Sequence, residues 1–321
     1  MKHKLIVCIR NITEKQKDDI RSTAESRGWT AEIYDDKAEA LEASHDAEVV
    51  FADTPRYVLH APDLKWMISP SAGVNHFIKN EAFLKSGVML SNSSGAYGVT
   101  IAEHIVMQAL FMLRMMPEYQ KAVKNGEWVR GYTLKSIKDS RITLLGTGDI
   151  GCETAKRLRA FDPGVITGVN TTGSDPMPGL FDRTKPIDDI DSILPDTDIL
   201  IMSLPFTPKT YHILDEKRLG MLPQGSLVIN VGRGVTIDEE ALKKELKAGR
   251  LRAALDVFEK EPIPEGSDLW DMPNLLITPH VAGDMFLPYT VQRIVDLFIQ
   301  DFIRYTQGER PLRLVDPKKG Y

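Results

Sequence analysis

Cysteine is almost missing from this chain: among 321 residues only Cys8 and Cys152 occur, far apart in sequence. A disulfide framework is thereby excluded, and a reducing, cytoplasmic setting is expected. Long apolar runs are missing as well. The first, Leu5 to Ile9, is too short for a signal peptide behind Met1 and Lys2, and no later stretch approaches the roughly 20 apolar residues of a membrane span. No membrane partner is expected. Excess positive charge is also lacking, since 40 Lys and Arg against 45 Asp and Glu leave a net charge of -5 with no basic stripe. Nucleic acid is therefore not an expected partner. His3, His45, His60, His76, His104 and His212 show no ligand spacing, so no metal is expected. Internal repeats and low-complexity segments are absent.

What is present reads as α/β. A hydrophobic content of 42% and a charged content of 26% are ordinary for a globular chain, and 321 residues exceed what one core usually fills. Two domains of about 150 residues each are expected. Short apolar runs at Leu5 to Ile9, Ala31 to Tyr34, Val49 to Ala52 and Trp66 to Ser69 alternate with amphipathic stretches, a βαβ rhythm. Thr13 caps an expected helix, Thr13 to Arg27, which Gly28 closes. Thr100 to Met116 predicts one long helix, uninterrupted by Gly or Pro until Pro117. Its apolar faces suit either a partner subunit or a place in the core, and its methionines read as packing. A second series carries six expected strands: Ile142 to Leu145, Val165 to Val169, Ile199 to Ser203, Leu227 to Ile229, Ala253 to Leu255 and Leu275 to Ile277. Six strands suit a doubly wound parallel sheet. A last helix, Thr290 to Tyr305, precedes a polar tail, Gln307 to Tyr321.

Gly146-Thr147-Gly148-Asp149-Ile150-Gly151 follows the first strand of that series and opens a helix, Ile150 to Leu158. Glycines there permit a tight turn and close approach of a pyrophosphate, and the helix N-terminus favours its charge. A dinucleotide is expected, bound through Gly146, Gly148, Asp149, Ile150 and Gly151. At the end of the next strand, where an acidic residue would hold the adenosine ribose of NAD, stand Asn170, Thr171 and Thr172. An amide and two hydroxyls without a carboxylate point to NADP, although Asp175, if its loop folds back, restores a preference for NAD.

Three further residues follow apolar runs in the same way: Arg233 in Asn230 to Gly234, Glu261 in Phe258 to Pro262, and His280 in Thr278 to Gly283. With Gly146 to Gly151, Leu204-Pro205-Phe206-Thr207-Pro208, Leu255 to Phe258, Ser71 to Val74 and Ala102-Glu103-His104, these motifs span nearly the whole chain. In this order they make the sequence similar to the D-isomer-specific 2-hydroxyacid dehydrogenases. The resemblance implies two Rossmann-like domains with doubly wound parallel sheets. A nucleotide domain, 96–287, is inserted into a flavodoxin-like substrate domain formed by 1–95 and 288–321. It implies hinges near Asn92 to Thr100 and Gly283 to Pro288, and a homodimer through the nucleotide domain.

The resemblance further implies hydride transfer between NAD(P)H and a small anionic 2-keto or 2-hydroxy acid. Histidine, with its pKa near neutrality, carries the proton, so His280 is the expected acid/base. Glu261, which precedes proline as the family's partner does, is preferred to Glu259 for holding the ring and favouring its charged form. Arg233 pairs with the substrate carboxylate through its planar fork. Ser71, Ala72, Gly73 and Val74 resemble the loop whose N–H groups bind that carboxylate. Leu204, Pro205, Thr210, Val231, Gly232 and Gly283 join the cofactor site, and Asp256 either holds the nicotinamide amide or orders its strand end. Two positions depart from the pattern: Asn75 stands where aspartate is common, and Asp284-Met285 replaces small or hydroxyl residues. Asp284 is expected to point outward, with Met285 as an apolar wall of the pocket. Two alternatives remain on the same fold: a 3-phosphoglycerate dehydrogenase, with Arg56 for the phosphate, and an NAD(H)-sensing corepressor.

Overall fold

Thr13 opens the first helix of the computed structural model, which describes residues 3–316; its side chain takes the Gln16 N–H while Gln16 reaches back to the Thr13 N–H. Met1, Lys2 and the end of the expected tail, 317–321, lie outside the described residues. The first unit runs up to Tyr97 and resumes at Asp284. It contains β1 (His3–Cys8), α1 (Glu14–Glu25), β2 (Trp29–Ile33), α2 (Lys37–Glu42), β3 (Val49–Ala52), β4 (Trp66–Ile68), α3 (Asn75–Ile78), α4 (Glu81–Ser86) and β5 (Met89–Ser91). The strands form one parallel sheet in the order β2-β1-β3-β4-β5. Val49 to Ala52 is buried along its whole length, as a strand covered by helices on both faces must be. Trp66, Tyr57, Phe51 and Phe77 are the largest side chains sealed in this core, each worth about 2–3 kcal/mol when removed from water.

The second unit, Gly98–Gly283, opens with α5 (Gly98–Leu113) and α6 (Met116–Lys124). A single helix was expected here, but Met115 adopts a left-handed φ of 57° and Pro117 stands in the first turn of α6. Proline lacks the N–H that an interior turn needs, yet fits a first turn, so the helix breaks ahead of it. There follow β6 (Arg141–Leu145), α7 (Asp149–Leu158), β7 (Val165–Asn170), β8 (Arg183–Pro186), α8 (Ile190–Ile193), β9 (Ile199–Met202), α9 (Glu216–Met221), β10 (Ser226–Asn230), α10 (Glu239–Lys247), β11 (Leu251–Leu255) and β12 (Leu275–Ile277). These seven strands pair in parallel in the order β12-β11-β10-β9-β6-β7-β8. The extra strand is β8, a half-exposed edge of Arg-Thr-Lys-Pro with no apolar run to announce it.

From Asp284 the chain returns to the first unit, where α11 (Pro288–Thr306) packs against α1. Residues 96, 97 and 284–287, expected with the nucleotide domain, thus fold with the first unit. Local bonds account for this: the Tyr97 hydroxyl donates to the Pro70 carbonyl at 2.6 Å, and the Asn11 amide donates to the Met285 carbonyl at 3.2 Å. Among the described residues no single helix is long and apolar enough to cross a membrane.

Candidate active site

Because β10, β11 and β12 are neighbours, the residues that leave their carboxyl ends are brought together. Arg233 follows β10, Glu261 follows β11 and His280 follows β12. His280 Nδ1 lies 2.7 Å from Glu261 Oε2, and the other carboxylate oxygen accepts the Phe258 N–H at 2.9 Å. The carboxylate is therefore oriented by backbone before it orients the imidazole. Glu259 turns elsewhere, to His212 Nε2 at 2.7 Å. Burial lowers the pKa of the Arg233 guanidinium, and nearby Glu261 offsets part of this. Arg233 Nη1 donates to the Gly232 carbonyl at 2.6 Å. The approach of the Arg233 turn to the Glu261 turn depends on Gly234, where a Cβ would overlap the Phe258 backbone.

At the end of β6 the chain turns through Gly146, whose φ of 106° suits glycine. Gly148 stands at the N-cap of the ten-residue α7 without a side-chain cap, and a Cβ there would meet open space. A Cβ at Gly151 would overlap the Gly146 carbonyl, so loop and helix touch. Ile150 continues the exposed first turn. The N-terminus of α7 thus sits directly against a glycine turn, an arrangement that fits a pyrophosphate. Asp149 does not face it freely: its Oδ2 accepts the Gly98 N–H at 2.8 Å and joins α7 to α5.

Leu204, Pro205 and Thr210 lie in the loop after β9, where the Thr210 hydroxyl closes the turn onto the Pro205 carbonyl at 2.7 Å. Val231 and Gly232 follow β10, and a Cβ on Gly232 would press on Leu204. Gly283 ends the second unit.

Hydrogen bonds change the expectation for Asn170 and choose between the two readings of Asp256. Asn170 does not offer its amide outward: Nδ2 donates to Thr147 Oγ1 at 2.9 Å and to the Ser174 carbonyl at 2.8 Å, while Oδ1 accepts the N–H groups of Thr172 and Gly173. It is the clasp of its loop. Thr171 and Thr172 are exposed there, as are Ser174 and Asp175, and the Thr172 hydroxyl is shared with Ser174 at 2.7 Å. Asp175 is turned to the Met177 N–H in its own turn. Asp256 is 1% exposed, and its oxygens accept from Thr278 Oγ1, Val281 N and Ala282 N, so it orders the strand end.

In the first unit the loop Ser71 to Val74 follows β4. The Asn92 amide donates to the Ala72 carbonyl at 2.8 Å, and the Ser69 and Ser71 hydroxyls donate to the two oxygens of Asp53 at 2.6 and 3.0 Å. His76 Nε2 lies 3.1 Å from Asp53. Burial works against the Asp53 charge, but the bonds from His76, Ser69 and Ser71 outweigh it and leave the pKa below the usual carboxylate range. Asp53 and His76 were not foreseen, because nothing local in sequence links positions on different strand ends. Met285 is half-buried, and Asp284 accepts the Phe286 N–H at 3.2 Å while acting electrostatically on Tyr97 of this unit.

The pattern of the D-isomer specific 2-hydroxyacid dehydrogenase NAD-binding domain matches residues 106–282. A glyoxylate reductase of Thermofilum pendens is 33% identical over 284 residues, which cover 84% of this chain and 78% of that protein. A solved structure of a D-isomer specific 2-hydroxyacid dehydrogenase family protein from Aeromonas salmonicida is 26% identical, with a TM-score of 0.86 over 99% of this chain and 100% of that one. The NADPH-dependent glyoxylate/hydroxypyruvate reductase of Sinorhizobium meliloti, solved with NADP and sulfate, is 27% identical, with a TM-score of 0.83 over 100% of each chain. The chain belongs to the D-isomer specific 2-hydroxyacid dehydrogenase family and is an NAD(P)-dependent oxidoreductase.

Proposed function

We propose that this chain reduces a small 2-keto acid of the glyoxylate or hydroxypyruvate type, preferring NADPH to NADH. The observation that carries the reading is the 2.7 Å bond between His280 and Glu261, with Arg233 close enough to Glu261 to feel its charge. His280 gives a proton to the keto oxygen from Nε2, since Nδ1 is engaged by Glu261. Glu261 holds the ring in one orientation and balances the imidazolium charge. Arg233 pairs with the substrate carboxylate and polarises the adjacent carbonyl. In the first unit, the N–H groups of Ser71 to Val74 are assigned to binding a carboxylate and Met285 to an apolar wall. The dinucleotide, held by the loop Gly146 to Gly151 and the ends of β7, β9 and β10, supplies the hydride when bound.

The preference for NADPH rests on the missing carboxylate at 170–172 and on the exposed hydroxyls of Thr171 and Thr172. The relative from Sinorhizobium meliloti, which carries NADP, points the same way. A homodimer through the second unit belongs to the proposal. Met107, Leu110, Phe111, Met116 and Leu134 line a groove of about 800 Å³ along α5 and α6, and Met107 is 44% exposed. A second copy would cover that apolar face. Two free thiols suit the cytoplasm.

The test is turnover of a panel: glyoxylate, hydroxypyruvate, larger 2-keto acids and 3-phosphohydroxypyruvate, each with NADPH and NADH. The expected result is a kcat of roughly 1–100 s⁻¹ on a small unphosphorylated keto acid, with the higher kcat/KM for NADPH. Turnover of the phosphorylated acid alone would replace the reading with the phosphoglycerate alternative, and cofactor binding without turnover would favour a sensor.

A further inference from the structure

His280 has a φ of 56°, a left-handed conformation that a side-chain-bearing residue keeps only when its surroundings hold it. The bonds that hold it are all at hand. Its N–H donates to the Thr278 carbonyl at 3.0 Å, and the next two N–H groups, of Val281 and Ala282, donate to Asp256 Oδ1 and Oδ2, each at 3.0 Å. The Thr278 hydroxyl also donates to Asp256 Oδ1, at 2.6 Å.

With its only proton committed to Asp256, Thr278 Oγ1 has lone pairs left to accept with. Two side chains of α5 supply the donors: His104 Nε2 at 3.1 Å and Gln108 Nε2 at 3.3 Å. They are four residues apart on one helix face. His104 must then carry its hydrogen on Nε2. Burial lowers its pKa, opposed in part by Asp256, whose Oδ1 is 3.8 Å away, so the ring is a neutral donor and not half of an ion pair.

Gln108 shows that the arrangement is not merely filling. Its Oε1 is buried without a hydrogen-bond partner, an arrangement that leucine of similar size would avoid. What glutamine provides there, and leucine would not, is the N–H to Thr278.

We propose that His104 and Gln108 are positioning residues: through Thr278 and Asp256 they fix the turn that aims the His280 ring at the reacting oxygen. This rests on the reading of His280 as proton donor. Neither residue is placed against substrate, so their loss should act on the chemical step and not on binding.

The experiment measures kcat, KM for the keto acid and NADPH affinity in Gln108→Leu, His104→Phe and His104→Gln, beside the parent protein. Gln108→Leu removes the donor and the orphaned acceptor together, so its melting temperature should hold or rise. Gln108→Leu and His104→Phe should lower kcat by about tenfold or more, the scale at which small misplacements of a reacting group are felt. KM and NADPH affinity should stay within about twofold, and His104→Gln, which restores a donor, should recover most of kcat. Gln108→Leu carries the test if His104→Phe fails to fold. An active parent with unchanged kcat in these variants, or a rise in KM at constant kcat, overturns the network. An inactive parent overturns the reading of His280, and the inference with it.

Discussion

Asn170 shows what a residue type alone does and does not tell. Its sequence position suggests a ribose pocket without an acid. Where the amide points depends on Thr147, 23 positions earlier, and on Ser174, whose carbonyl faces it only once the loop has closed. Asn170→Asp therefore does more than add charge. The new oxygen would meet the Ser174 carbonyl, and the loop should lose about 1–3 kcal/mol of stability. Urea unfolding checks this, and an unchanged midpoint would contradict the clasp. The same limit hid Asp53, His76 and Gln108, whose partners come from distant strands and helices. Arg233, Glu261 and His280 could be picked out because each follows an apolar strand, β10 and β11 largely buried and β12 partly so, and parallel sheets gather such positions at one edge. Even the choice of Glu261 over Glu259 depended on the resemblance; the structure supplies a physical counterpart, the Phe258 N–H on one side and the His212 ring on the other.

Elements were read as well as their apolar patterns allowed. Buried strands such as β3, β9 and β10 declare themselves by unbroken hydrophobic runs, whereas β8 is polar and is recruited by pairing with β7. Helix periodicity ran through Met115, where the backbone turns left-handed. Of the two readings open for α5, core helix or subunit contact, the structure contains features of both. Ile105, Ala109 and Met112 are fully buried, while Met107 and Leu110 are exposed at 44% and 36%. On this helix the dimer proposal can be tested by one charge. The parent protein should elute at twice the chain mass, and Leu110→Glu, which puts a carboxylate into the apolar face, should weaken association by at least about tenfold. A parent that is monomeric at high concentration would remove the proposal.

At the scale of the molecule, two parallel sheets with separate cores follow from chain length and from the βαβ rhythm. The discontinuity of the first unit followed from resemblance, since no composition shift marks it. Its boundaries at Tyr97 and Asp284 are set by contacts that pattern alone does not show. The proposed chemistry converges on the carboxyl ends of β10, β11 and β12, where His280 is proposed to deliver the proton. The most direct test is kcat/KM for keto acid reduction in His280→Asn, measured with NADPH affinity by fluorescence. The expected result is a loss of roughly 10²–10⁴-fold with cofactor affinity unchanged. A variant that retains activity within about threefold of the parent would contradict the account.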